Sequence, residues 1–421
     1  MRIPRALRVP RSAVAPLIVA AFAFCANAYG ASGSAPDWEI DLDARWVTSN
    51  SEASAYDGGP GTLRFSEDQK GLQLGRIRLA LNQNLGDLWS AHLDASVWDD
   101  HEKNPIDLTE AYLQWRPYPF DGLRARVKAG AFYAPISLEN RTSGWETPYT
   151  LTPSAINTWV GEELRTIGIE TQIDWLGTRT GHLFDVGLTA AVYGWNDPAG
   201  TELAYWGFSF NDRQTTLFGR VGQPGQQPQP ASTLFREIDG RAGAYAGVEV
   251  RYLDRVVLRA LHYDNRSDPH ESQLAPKSFS WLTRFDSAGI RAESSSGWTG
   301  IAQWLKGNTY ITPVTTRLGW PFEAKFLLVS RRAGPHTFSI RYDRFDVWRE
   351  PGQGDDGTQH GHAWTAAYIF EPTARWRFTL EWIDVTSTAE SREDYYGYDA
   401  LAHEHQLQAQ FRYALGPAAA P

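Results

Sequence analysis

The sequence predicts an all-β protein, a transmembrane antiparallel β-barrel of about 16 strands. Three observations carry this. Apolar residues recur at every second position along most of the chain, short turns and longer loops take turns, and tryptophans lie near the ends of the alternating runs.

The first element is a leader. Arg2, Arg5, Arg8 and Arg11 form a positive start, and Ala13 to Cys25 is a short apolar run. Ala26-Asn27-Ala28 then supplies a small-x-small cleavage signal. The run falls short of the ~20 residues that a spanning helix needs, so residues 1–28 read as a signal peptide and 29–421 as the barrel. Cleavage would remove the only cysteine and the only methionine, leaving no thiol chemistry. It would also remove four arginines, taking the formal charge from −9 to about −13. An acidic chain of this kind has no footprint for nucleic acid.

The strands follow. In Trp38-Glu39-Ile40-Asp41-Leu42-Asp43-Ala44-Arg45-Trp46, apolar and charged residues alternate without a break, which a strand with one wet face explains. Ile77, Leu79 and Leu81 oppose Arg76 and Arg78. Leu123, Ala125, Val127 and Ala129 oppose Arg124, Arg126 and Lys128. Trp89 to Val97, Ala111 to Trp115, Ile167 to Ile173 and Phe184 to Val192 repeat the pattern. Less regular runs centre on Val248, Leu258, Trp281 to Ile290, Ala302, Phe326, Ile340, Ala367 and Leu380, and a clean one ends the series at Leu407 to Tyr413.

The connections supply an independent check. Short turns are expected at 84–87, 116–122, 175–181, 253–255, 294–297, 332–335 and 371–373. Long loops are expected at 49–70, 99–105, 133–164, 196–240, 264–277, 307–320, 348–360 and 387–402. A barrel with one short-turn rim has this rhythm, and an even strand number puts both ends on that rim. A soluble solenoid or sandwich would also alternate. Trp38, Trp46, Trp89, Trp98, Trp115, Trp376 and Trp382 near strand ends favour a membrane girdle instead.

Two stretches carry a resemblance. They are Thr109-Glu110-Ala111-Tyr112-Leu113-Gln114-Trp115 with Ala129-Gly130-Ala131-Phe132-Tyr133-Ala134-Pro135-Ile136-Ser137-Leu138-Glu139, and Ser154-Ala155-Ile156-Asn157-Thr158-Trp159-Val160-Gly161-Glu162-Glu163-Leu164-Arg165. Together they resemble the phosphate-selective porin-like family of Gram-negative outer-membrane porins, with Arg341-Tyr342-Asp343-Arg344-Phe345-Asp346-Val347 as a weaker echo. The resemblance implies a sixteen-stranded barrel in the cell outer membrane, usually a homotrimer, whose loop after the fifth strand folds inward to constrict the pore. Segment 133–164 is in that place. Phosphate-selective members line the pore with lysines, whereas this chain has only Lys70, Lys103, Lys128, Lys277, Lys306 and Lys325.

Candidate pore residues fall into two sets. Arg76, Arg78, Arg124, Arg126 and Lys128 project to the inner face and are expected to form an anion track. The bland alternative is a solvated wall neutralised by neighbours such as Asp94 and Glu110. Glu139, Glu146, Glu162 and Glu163 lie on the constriction loop, where acid facing a basic wall would set up a field across the pore. His360, His362, His403 and His405 could gather a metal, but exposed loop histidines are commoner and no metal site or cofactor is expected. G-x-S-x-G and H-E-x-x-H signatures are absent, so the chain is not expected to be an enzyme. The expected function is passive diffusion of small hydrophilic solutes with a bias to anions. The alternatives are a plugged barrel whose surface loops bind a partner and, behind it, a barrel hydrolase with its nucleophile and base on separate strands. Outer-membrane lipid and lipopolysaccharide are the other expected partners.

Overall fold

A computed structural model describes residues 36–98, 106–219, 233–274, 277–353 and 357–417. The leader and the Pro/Gln-rich tract at 221–230 lie outside the described residues.

Sixteen antiparallel strands close into one barrel. In chain order they are β1 (Asp37–Ser49), β2 (Gly71–Asn84), β3 (Trp89–Val97), β4 (Ile106–Trp115), β5 (Leu123–Phe132), β6 (Thr166–Trp175), β7 (Phe184–Gly194), β8 (Gly243–Tyr252) and β9 (Val256–Asp264). A small hairpin of β10 (Ser272–Leu274) and β11 (Lys277–Phe279) interrupts the series, inside a segment expected to be loop only. The wall resumes with β12 (Leu282–Glu293), β13 (Trp298–Ile311), β14 (Leu318–Ala333), β15 (His336–Val347), β16 (Gln359–Thr373), β17 (Trp376–Ala389) and β18 (Leu401–Leu415). β18 pairs back onto β1 from Ile40↔Leu415 to Ser49↔Gln406, so no strand is left with an open edge.

No described helix is long and apolar enough to cross a membrane; the crossing is made by strands. Their outer faces are apolar and exposed, with Leu188 at 60 % and Phe411 at 50 %. Buried polar partners, among them Arg78, Asp94 and Gln410, line the inside. Closure gives each strand of the wall a neighbour on both sides, as lipid requires. Trp38, Trp46, Trp89 and Trp376 are exposed on the outer face near strand ends, whereas Trp382, expected with them, is exposed at the middle of β17. Trp98 departs from the expected girdle: it is buried inside, beneath the guanidinium groups of Arg64 and Arg76.

Gly130 breaks the alternation of β5 with φ +139, and a Cβ there would meet Tyr112 Cα at 2.7 Å. Only glycine lets the β4 backbone approach so closely.

Candidate functional site

The lumen is not an empty tube, because three of the long loops fold into it. The deepest part is helix α1 (Ala155–Glu163) in the loop after β5, and all nine of its residues are buried. Pro153 and Ser154 start the helix, and the Ser154 hydroxyl accepts the Asn157 N–H at 3.3 Å. Trp159 projects from α1 between Phe285 of β12 and Phe322 of β14, with ring centroids 5.4 and 5.2 Å away. Phe208 and Phe210 join from the loop after β7, which also holds the short helix α2 (Thr201–Tyr205). Leu63 comes from the loop after β1, where the Phe210 N–H donates to the Thr62 carbonyl at 2.7 Å. Each large apolar side chain buried this way contributes about 1.5–3 kcal/mol.

The plug rests against one side of the barrel. The inner faces of β12 to β17 carry Phe285, Leu305, Phe322, Phe345, Ala363 and Ile383, all buried in the same apolar cluster. Ionic ties fix its lower edge. Arg341 of β15 donates to the Thr152 and Pro153 carbonyls at 2.8 Å each, and bonds Asp343 at 2.7 Å. Glu381 of β17 accepts the Leu151 and Thr152 N–H groups at 2.5 and 3.0 Å. Buried charges of this kind survive only when their hydrogen-bonding capacity is met.

Beside the plug runs a charged seam, made by β1, β2, β17 and β18 against the loops. Glu146 is clamped between Arg76 and Arg412. Asp212, from the loop after β7, sits between Arg45 at 2.5 Å and Arg64 at 3.0 Å. Although burial opposes it, those two guanidinium groups hold the Asp212 carboxyl well below the usual carboxylate range. Arg377 donates to the Thr147 carbonyl at 3.1 Å. These groups surround a polar cavity of about 20 Å³, room for one water. Four arginines (Arg45, Arg76, Arg377, Arg412) face three carboxylates (Asp43, Glu146, Asp212), an excess of one positive charge.

The structure divides the basic residues expected to line the pore. Arg76 lies in the seam. Arg78 is fully engaged, with Asp94 at 2.5 Å and Asp41 and Glu39 at 3.1 and 3.2 Å. Arg124, Arg126 and Lys128 do share one inner face, but each meets a β6 partner: Asp174 at 2.8 Å, Gln172, and Glu170 at 3.3 Å. Of the two neighbours expected to neutralise the basic set, Asp94 does so for Arg78, while Glu110 pairs with none of the five. The Glu110 carboxylate accepts the Tyr133 N–H instead.

The loop glutamates do not stand together either. Of the four, Glu146 alone lies in the seam. Glu139 is fully buried, accepting from Ser154 N and Asn157 Nδ2 at 2.7 and 2.8 Å. Glu162 accepts from Ser209 and Asn211, and Glu163 from the Trp159 indole and the Glu202 N–H. Burial pushes both the Glu162 and Glu163 carboxyls up to about 7. Glu202 on α2 is raised further by burial and by those two neighbours.

Several seam residues, Arg45, Arg64, Asp212, Arg377 and Arg412, were not singled out by sequence reasoning. The only signal for Asp212 was indirect: Leu203, Trp206, Phe208 and Phe210 make its loop too apolar to lie in water. The four histidines face outward on β16 and β18 with β17 between them. His360 bonds Asp346 and His403 bonds Thr386. Asp197, Glu237 and Asp239 do bring three carboxylates together, but backbone N–H groups of Ile238, Trp195, Gly240 and Asp268 already occupy them.

A closed sixteen-stranded barrel with an apolar outer wall and a charged seam within defines an integral outer-membrane β-barrel. No protein-family model matches the chain, and no curated protein matches it. Among solved structures it is similar to the loop L8 deletion mutant of OmpT, an outer membrane protein of Vibrio cholerae, at TM-score 0.51 and 8 % identity, covering 90 % of this chain and 99 % of that one. In-vitro folded OmpT in its trimer form gives TM-score 0.50 and 8 % identity over 90 % and 99 %. An anion-selective porin from Comamonas acidovorans gives TM-score 0.47 and 12 % identity over 90 % and 99 %.

Proposed function

We propose that the protein is a narrow outer-membrane diffusion channel, rather than an enzyme, which passes small hydrophilic solutes along the charged seam with a weak preference for anions. The observation that carries this reading is the seam itself. Apolar packing closes the β12–β17 side, whereas the β1–β2–β17–β18 side holds a polar cavity lined by four arginines against three carboxylates. Fixed charge in so narrow a space lowers the cost of stripping water from an ion of opposite sign. Carboxylates and phosphate-like ions match guanidinium geometry. The homotrimer is part of the same proposal, and chemical cross-linking in detergent checks it.

The density of the plug favours a second reading, a barrel that does not conduct at rest and whose loops bind a surface partner. Planar-bilayer recording separates the two. The channel reading expects small ohmic steps, with a reversal potential of anionic sign in a salt gradient. Replacing Arg124, Arg126 and Lys128 with Gln should leave that sign unchanged, because these β5 residues do not line the seam cavity. Silence at every voltage would decide for the plugged barrel.

A further inference from the structure

A cavity of about 610 Å³ forms a groove on the outer, lipid-facing side of β9 and β12–β15. Its floor is made of small residues, Ala288 of β12 and Ala302 of β13. Leu258, Ile290, Leu327 and Tyr342 rise around them as walls. The register explains the hollow. Ala302 lies between Ile290 and Leu327, so a short side chain sits where its neighbours on both strands are long.

At the long-loop end of this groove the wall changes from apolar to cationic. Lys325 of β14 and Arg344 of β15 are direct cross-strand partners, flanked in the same row by Trp304 and His362. Both cations are exposed, Arg344 at 58 %. Like charges directly opposite each other destabilise a sheet, and neither is neutralised well. Glu323, one row further out, is committed to the Trp304 indole and to Lys306 at 3.0 and 3.3 Å. Asp346 takes His360 at 3.0 Å and stands 3.6 Å from Arg344. Lys325 has no hydrogen bond or ion pair among the described residues.

We infer that this groove is a lipid site: a phosphate-bearing membrane lipid places its phosphate between Lys325 and Arg344 and lays one acyl chain over Ala288 and Ala302. A phosphate would convert the like-charge pair into two charge-assisted contacts, and basic clusters beside a membrane-spanning wall recognise lipid headgroups in this way. An acyl chain would fill a hollow that bulk lipid fits poorly. The inference rests on the barrel's seat in a bilayer and not on conduction, so silence in a planar bilayer would leave it standing.

The test uses the full-length barrel, delipidated in detergent and titrated with bisphosphorylated lipid A, with adducts counted by native mass spectrometry. Two variants remove the two halves of the site. Lys325→Gln with Arg344→Gln removes the phosphate contacts, and Ala302→Trp fills the groove while keeping both charges. Each should reduce lipid retention at least tenfold, and the dephosphorylated lipid should behave on the wild-type barrel as on the charge variant. Arg331→Gln, lower on β14, is the folded control and should retain lipid normally. Retention unchanged in both variants overturns the inference. So does a site that inorganic phosphate saturates and Ala302→Trp leaves intact, which is a free-anion site. A change in oligomer mass in place of lipid content also overturns it, assigning the groove to a second copy of the chain.

Discussion

Glu146 is the residue on which the seam turns. Its carboxylate is held by two arginines, Arg76 of β2 and Arg412 of β18. Replacing it with Gln keeps the shape and leaves both guanidinium groups in excess. A unit charge a few ångströms from a passing ion is worth about 1 kcal/mol even in water-like surroundings. Glu146→Gln should therefore move the anion-to-cation permeability ratio upward by a factor of a few, most strongly at low salt. Reversal potentials equal to wild type would show that ions do not pass this residue. A second residue-scale prediction concerns the wall. Arg126 points inward beside Gln172, and Val127 lies on the outer face opposite Thr171. An arginine on the lipid face near the bilayer midplane costs about 2–4 kcal/mol. Val127→Arg should lower the yield of folded barrel far more than Arg126→Val, as read by heat-modifiable migration on gels. Equal yields would refute the register of β5.

At the scale of elements, the strands were legible in proportion to how wet their inner faces are. β1, β2 and β5 alternate cleanly because Asp41, Asp43, Arg76, Arg78, Arg124 and Arg126 face the inside. β12 to β17 blur because Phe285, Leu305, Phe322 and Phe345 face inward too, to meet the plug, so both faces of those strands are rich in apolar residues. The loop after β5 was expected to fold inward, and α1 does. The inward fold of 195–217 was missed, since nothing in its spacing says which way an apolar loop turns. The plug also carries a pH dependence. Glu162 and Glu163 titrate near pH 7 when buried, against about 4.3 for an unperturbed glutamate. A carboxyl raised in the folded state adds stability that is complete below the unfolded value and is lost as pH rises through 7. Glu202 adds to the effect and Arg213 opposes it. Amide exchange in α1, corrected for its intrinsic pH dependence, should be slower at pH 5 than at pH 8. Glu162→Gln with Glu163→Gln should flatten that difference. A flat wild-type profile would mean that these carboxyls stay in one state.

For the whole molecule, the sixteen strands and the place of the loop after β5 could be read from periodicity and turn spacing, because both are properties of consecutive residues; the inward fold of that loop was an implication of the resemblance. The seam could not. Its members come from β1, β2, β17, β18 and three loops, and only closure of β18 onto β1 brings Arg45 within 3.2 Å of Gln408. The charge balance inside the barrel is a long-range property of this kind. For that reason a row of cations on one strand, such as Arg124 to Lys128, says little until its partners on β6 are known.

The one-sided packing of the plug also bears on how the barrel is assembled. A wall of strands apolar on both faces cannot close around water without leaving one of those faces exposed to it. The rings of Phe285, Phe322 and Phe345 therefore need their counterparts in place before the last strands seal. Those counterparts, Trp159, Phe208 and Phe210, are all encoded before β12 begins. The N-terminal half thus supplies the filling, and the C-terminal half is the sheet that packs on it.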